Sequence, residues 1–413
     1  MKIAVLMSVY GKHAVGGAER SAEKSAVDLS GQGHEVSLVS LCAEDDRAPQ
    51  FNLPEGLTHH PVALAQLYDP YGLSGPIKPL RRTAVSKALW HTIDIYNPVM
   101  GGRLKALWQE QKPDLVITHT LQGFSVAAWQ AARQCESALI HVIHDHALMC
   151  PGTAMTRGST VCEKPCGKCK LYGRARQLFS IAPDALVAPS AAVLERHRDM
   201  GWFCDVADQR VIENAMPSDW KVVSTPRAVP TGQRLRFGFL GRLDQSKGVD
   251  TLLEAACLLI PGTFQITLAG PGDLRPLQTF IAARGLTGAV RLDGVVQANE
   301  FLDGIDVLVT PSRAQETFCN VVMEAGCLGI PSIVSNRGAL PERVNFGEAG
   351  WIFPAGDSRL LAKAMQFCID DRQDVALRGA VALQSRFRYA PARHAATWAS
   401  VCADALAYHR ARR

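Results

Sequence analysis

Two acids and two cations are spaced where they could act together on one ligand. Glu316 and Glu324 lie eight residues apart in the run Pro311–Ala325, P-S-R-A-Q-E-T-F-C-N-V-V-M-E-A. Arg242 and Lys247 lie in the run Phe237–Ala255, F-G-F-L-G-R-L-D-Q-S-K-G-V-D-T-L-L-E-A. An arginine fork and a lysine point charge together can neutralise two linked phosphates. A carboxylate accepts from both hydroxyls of a cis diol. Glu324, on a helix about two turns beyond Glu316, suits a ribose; Glu316, nearer a strand end, suits the hydroxyls of a sugar ring. One Arg and one Lys are ordinarily solvated surface, and two acids at this spacing are ordinarily coincidence. Here Gly241 and Gly248 flank the cations in a strand–turn–helix setting, and the acids follow another strand, so a nucleotide-sugar pocket is the stronger reading.

Other candidates follow strands in the same way. Gly16 and Gly17 precede a helix, and bare amides at a helix N-terminus bind anions. Their spacing is neither G-x-G-x-x-G nor a Walker loop, which argues against a dinucleotide dehydrogenase and a P-loop enzyme. A flexible turn is the plain alternative. His144, in His144-Asp145-His146, ends a strand-like run and can point into a cleft; equally it can be a core imidazole. Val295, in the turn after 290–292, would border a base and ribose. Cys150, Cys162, Cys166 and Cys169 crowd one loop rich in Gly and Pro. Four thiolates suit a tetrahedral structural zinc that braces the loop, with disulfides, free thiols or an iron–sulfur cluster as alternatives.

These positions need a scaffold of strands and helices. Apolar runs at 3–7, 35–40, 115–118, 139–143 and 185–188 alternate with amphipathic stretches, and a second series runs through 236–240, 265–269, 290–292, 307–310 and 332–334. Continuous apolar strands between helices imply parallel sheets covered on both faces. The reading is α/β: two Rossmann-like, doubly wound domains facing across a cleft, with ligands at the carboxyl ends of strands. The divisions are 1–213, carrying the Cys-rich loop 150–169; a Pro-rich linker at 214–232; a nucleotide-sugar domain at 233–390; and a C-terminal helix at 391–413, expected to pack back on the first domain. The chain's 413 residues, 47% apolar and 20% charged, fill such cores. A net charge of +5 is too small to argue for nucleic acid. The other eight of the twelve cysteines read as reduced core thiols. Met1–Met7 reads as a first strand and not as a signal peptide, and no apolar run is long enough to span a membrane, so a cytoplasmic protein is expected.

With these motifs the chain resembles the retaining glycosyltransferases of family four, of the two-domain GT-B type. The resemblance rests on G-G-A-E at 16–19, H-D-H with the four cysteines at 144–169, G-R-L-x-x-x-K-G at 241–248, E-x7-E at 316–324, and the stretches 335–342 and 350–354. It implies Arg242 and Lys247 at the diphosphate, Glu324 at the ribose, Glu316 at the donor sugar, His144 near the reacting centre, and Gly16-Gly17 near the phosphates or acceptor. Phe318, Cys319 and Asn320 would border the donor through their backbone. It also implies catalysis without a metal at the phosphates. Cys319 stands where the family usually has glycine, and its Cβ narrows the donor pocket.

The expected partners are a UDP- or GDP-sugar and a saccharide or lipid-linked acceptor, in cell-surface glycan synthesis. Arg81, Arg82, Lys87, Arg103 and Lys105 with Trp90 and Trp108 fall on helices of the first domain. Solvated helices explain them most simply; a peripheral contact with the inner face of an anionic membrane is the alternative. Two competing readings are a sugar-nucleotide epimerase of the same build and a non-catalytic nucleotide-sugar binding protein.

Overall fold

A computed structural model describes residues 1–11, 16–42, 53–65, 73, 83–157, 160–217, 220–221 and 223–412. Arg81 and Arg82 lie outside the described residues. The strands are β1 (Lys2–Leu6), β2 (Glu35–Cys42), β3 (Leu57–Ala63), β4 (Leu115–Thr118), β5 (Ala138–Val142), the hairpin strands β6 (Thr156–Arg157) and β7 (Thr160–Val161), β8 (Ala185–Ala188), β9 (Asp208–Val211), β10 (Leu235–Leu240), β11 (Phe264–Ala269), β12 (Val290–Gly294), β13 (Val307–Thr310), β14 (Ser332–Ser335) and β15 (Gly350–Phe353).

The chain divides into two compact units. The first comprises 1–153, 164–215 and 392–413; the second comprises 154–163 and 216–391. In the first, seven strands run in the order β3-β2-β1-β4-β5-β8-β9, each pair parallel. The order reverses between β1 and β4, so the loops after these two strands diverge and leave a crevice at their carboxyl ends. One sheet face is covered by the helix Gly17–Gly31, through Ala22, Ala26 and Leu29, and by the C-terminal helix Pro391–Ala411, through Trp398, Val401, Cys402 and Ala405.

The second unit repeats the design with six parallel strands, β12-β11-β10-β13-β14-β15, and its reversal falls between β10 and β13. Every residue of β13 is buried, as a strand flanked and covered on both faces requires. Phe237, Phe239 and Phe264 fill the core under the helices Val249–Ala256 and Ser358–Asp370. Burying a side chain of this size is worth about 1.5–3 kcal/mol. The other face packs Leu302, Val322 and Met323. Among the described residues, no helix is long and apolar enough to cross a membrane.

Trp90 and Trp108 belong to the helices Ala84–Ile93 and Pro98–Gln111 and point inward, 5% and 0% exposed. Among the described residues, these two tryptophans therefore take no part in an exposed basic face. Their spacing put the rings on helices correctly, but on the core side.

Candidate active site

The second unit's site is built on its switch point. After β10 the chain makes a tight turn, in which Asp244 accepts from the Lys247 amide at 3.2 Å. Gly248 ends this turn at φ +75°, and a Cβ there would overlap the Pro311 carbonyl oxygen. The left-handed conformation and the close approach both require glycine. After β13, the amides of Arg313 and Ala314 donate to the Ser246 carbonyl at 2.8 and 3.0 Å, which ties the second loop onto the first. Gly338, at φ +54°, lies against the Glu316 backbone, where a Cβ would overlap its carbonyl oxygen. The Ala339 amide donates to that same oxygen at 2.8 Å.

This framework brings Lys247 and Glu316 into contact. The Lys247 ammonium donates to Glu316 Oε1 at 2.6 Å, and the Ser312 hydroxyl donates to the same oxygen at 2.6 Å. Glu316 is only 12% exposed at its side chain. Burial pushes its carboxyl up, but Lys247, Ser312 and Arg242 outweigh that and hold it below the usual carboxylate range. Burial likewise disfavours the Lys247 ammonium, and Glu316 overcomes it, so the lysine stays charged. Arg242 is 65% exposed and meets Asp244 at 3.4 Å, leaving its guanidinium accessible to an anion. Glu324 is buried on the helix Asn320–Cys327. Burial and then Glu316 push the Cys319 thiol up to about 12, with Glu324 adding to the rise, so Cys319 stands among these acids as a neutral group. Ser312 was not singled out from the sequence. Its signal is its place four residues before Glu316, at the end of an apolar strand.

The remaining expected donor contacts are mixed. Val295 is 77% exposed in the turn after β12. Asn320 opens its helix, and Cys319 precedes it at φ +74°. The Phe318 side chain does not face the site. It is 3% exposed, in the core, under the Arg343 guanidinium at 4.3 Å and edge-on to Tyr389.

In the first unit, Gly16 caps the helix Gly17–Gly31 with extended backbone. The Glu19 carboxylate folds over it, where a Cβ would overlap Oε2. That acid already faces the helix N-terminus, so an anion there must displace it. His144 follows β5, and its Nε2 lies 2.8 Å from His119 Nδ1, at the end of β4. Burial lowers the His144 pKa to about 4, so the ring is neutral near pH 7. Burial raises Asp145 to about 6, against the Ala147 amide, which donates to it at 2.7 Å.

The zinc expected at the four cysteines lacks its shell. Among the described residues, no group of three or more His, Cys, Asp or Glu is arranged to hold a metal ion. Cys162 falls in the second unit, whereas Cys150, Cys166 and Cys169 fall in the first. None of the four is joined in a disulfide. Burial, with Cys150 and Cys166 as neighbours, pushes Cys169 up to about 12. The loop spacing conveyed crowding of thiols but not the convergence of four sulfurs.

Comparison with known proteins gives the class to which this fold belongs. Residues 16–215 match the glycosyl transferase 4-like domain, and residues 234–371 match the glycosyl transferases group 1. The chain therefore carries both domains of a glycosyltransferase, as two Rossmann-like sheets of the GT-B class. It is 27% identical to an uncharacterized 42.6 kDa protein in the cps region of Klebsiella pneumoniae, over 83% of this chain and 87% of that one. It is 33% identical to the amylovoran biosynthesis glycosyltransferase AmsK of Erwinia amylovora, over 32% of this chain and 35% of that one. The crystal structure of Anabaena HepE in complex with UDP matches it with a TM-score of 0.71 at 18% identity, over 98% of this chain and 100% of that one.

Proposed function

We propose that the chain is a retaining glycosyltransferase that moves a sugar from a UDP- or GDP-sugar to a saccharide or lipid-linked acceptor in surface-polysaccharide synthesis. The observation that carries this reading is the buried Lys247–Glu316 pair beside Arg242, at the switch point of the second sheet. A UDP complex of HepE and the biosynthetic role in the name of AmsK support it.

Each group then has a task. Arg242 and Lys247 neutralise the diphosphate, and the amides opening the helix at Asn320 add partial positive charge toward it. Both protein donors on Glu316 use Oε1. Oε2 then accepts from a sugar hydroxyl, and Glu324 accepts from the ribose. His144, in the first unit, accepts from a ligand hydroxyl. The bond from the anomeric carbon to the diphosphate oxygen breaks. The acceptor oxygen bonds to that carbon on the same face, and its proton passes to the departing phosphate. Two fixed cations supply the charge compensation that a metal supplies elsewhere.

A thermal-shift screen of UDP, GDP, ADP and TDP tests the binding half. Saturation at a hundred times Kd stabilises by about 2.7 kcal/mol, so UDP or GDP should raise Tm clearly. No shift with any of the four would sink the reading. Given a donor, NMR of the product settles the rest: an unchanged anomeric configuration supports retention, an inverted one overturns it, and an altered sugar without acceptor indicates an epimerase.

A further inference from the structure

Within the first unit, a turn lies along a helix in a register that sets one thiol against another. Tyr172, Gly173 and Arg176 make the buried face of the helix Gly167–Phe179. The Arg176 guanidinium donates to the Ala147 carbonyl at 3.4 Å. Nearly one turn earlier, a Cβ on Gly173 would stand 3.8 Å from the Leu148 carbonyl oxygen and 3.8 Å from the Met149 Cα, so helix and turn touch there. The contacts move back along the helix as they move forward along the turn. The next position on that helix face, four residues before Gly173, is Cys169. The next residue of the turn is Cys150. Their sulfurs meet as this register requires, with the Cys169 thiol hydrogen-bonded to Cys150 and also to Cys166. Cys150 is 7% exposed, and Cys169 is partly exposed.

We propose that Cys150 and Cys169 are a reversible dithiol–disulfide pair, oxidised by a peroxide or a small-molecule disulfide, whose bond staples the loop between them. Thiols already in contact need only modest torsional change to bond. With a peroxide, one sulfur takes an oxygen atom and becomes a sulfenic acid while the rest of the peroxide leaves as water. The other sulfur then attacks the sulfenic sulfur, the S–S bond forms, and hydroxide leaves with the second thiol's proton as water. The pair loses two hydrogens and two electrons, and the peroxide gains them. With a small disulfide, one sulfur takes half of it and releases the other half as a thiol, and the second sulfur displaces the remaining half. Two equivalents of a small thiol reverse either route. Burial and the neighbouring sulfurs push the Cys169 thiol up to about 12, so near pH 7 it is a poor nucleophile and the pair persists as thiols until an oxidant arrives. Where the surroundings keep thiols reduced, such a bond is a transient response to oxidation. Cys166 is the N-cap of the same helix, so a bond from it to Cys169 would pin a single turn. A bond from Cys150 pins the helix to the turn and closes a ring that contains β6 and β7, which restricts that loop.

The direct test is peptide mapping by mass spectrometry. The full-length chain is treated with hydrogen peroxide or oxidised glutathione, its remaining thiols are blocked, and it is digested without reductant. The expected product is one crosslink between the peptides carrying Cys150 and Cys169, lighter by two hydrogens and undone by dithiothreitol. The mapping uses the unaltered chain, so it does not depend on any variant folding. Cys150→Ser and Cys169→Ser should each lose that crosslink. Cys166→Ser, which keeps a good N-cap, should retain it. Hydrogen exchange in β6 and β7 should slow roughly tenfold on oxidation of the wild type and of Cys166→Ser, and should not slow in Cys169→Ser. A crosslink mapped to Cys166–Cys169 or to any other pair would overturn the proposal. So would thiols carried to sulfinic acid with no crosslink, or exchange in β6 and β7 that ignores the bond. Thiols that react only after a chelator is added would show a metal holding them, and would overturn it as well.

Discussion

The two units hold their site charges in opposite ways. Eleven of the twelve histidines are among the described residues, and all eleven lie in the first unit. Burial keeps several of the first unit's imidazoles neutral: His141 falls to about 3, and His59, His91, His144 and His197 to about 4. The second unit instead buries a full ion pair, Lys247 with Glu316, and holds both partners charged. The difference fits the ligand parts each is proposed to meet. Neutral rings suit hydroxyls and cost little desolvation. A diphosphate needs fixed charge, and a fixed charge survives burial only when paired.

Removing one partner of the pair is the harshest way to break this contrast. Lys247→Met leaves Glu316 buried without its cation, which costs about 3–5 kcal/mol, and transfer should fall at least a hundredfold. The double variant Lys247→Met/Glu316→Gln removes both charges. Denaturant unfolding should show most of the lost stability restored while transfer stays at the floor. If activity returned with stability, the pair would be a structural device and not a diphosphate clamp.

Acidification separates the units more gently. An imidazole whose folded pKa lies below its unfolded value near 6.5 binds fewer protons folded than unfolded between the two. Its contribution is complete above about 6.5 and is lost as pH falls toward 4. For the deeply buried His141 and His197 this is on the order of 3 kcal/mol apiece. Asp145, raised to about 6, acts the other way, since its folded form keeps a proton that the unfolded chain gives up between about 4 and 6. One opposing acid does not balance several imidazoles. Hydrogen exchange at pH 7 and pH 5 should show protection falling in β1, β4 and β5 and holding in β10 and β13. Equal loss in both units would show that burial of the imidazoles does not control acid stability.

What the sequence disclosed follows the same physics of burial. Each apolar run read as a strand is a strand in the structure, because a strand covered on both faces must be apolar throughout. Within the two large sheets, three strands escaped that reading: β3 (L-T-H-H-P-V-A), β9 (D-Q-R-V) and β15 (G-W-I-F). All three are sheet edges. An edge is open on one side, so β3 and β9 carry His59, Pro61 and Arg210 without loss and show no continuous apolar pattern. At the site, the residue types at 242, 247, 316 and 324 were legible, and the pairing of Lys247 with Glu316 was not. That contact depends on Ser246 accepting from the amides of Arg313 and Ala314, a backbone register that no side-chain pattern encodes. His119 escaped because its partner lies on the neighbouring strand, twenty-five residues away.

The subtlest effect lies at Cys319, the one side chain among these groups held at positive φ, with φ +74° and ψ +81°. This left-handed backbone costs a residue with a Cβ about 1–2 kcal/mol, and glycine avoids the penalty. Cys319→Gly releases that strain, loses the packing of one sulfur and loosens the unfolded chain, so its net effect on stability should lie within about 1 kcal/mol of zero. Cys319→Ala keeps the strain and also loses the sulfur, so it should be the less stable of the two. If alanine proved the more stable, the strain would not be real, and sulfur packing could not account for the difference, since both variants lack it. On the functional side, removing the Cβ widens the space beside Glu316, so Cys319→Gly should raise kcat/KM for a donor with a bulkier sugar relative to a plain hexose, by a few-fold at most. A preference that stays fixed in both variants would mean that the donor passes this residue without touching it, and that sugar selection lies with Glu316 and its neighbours.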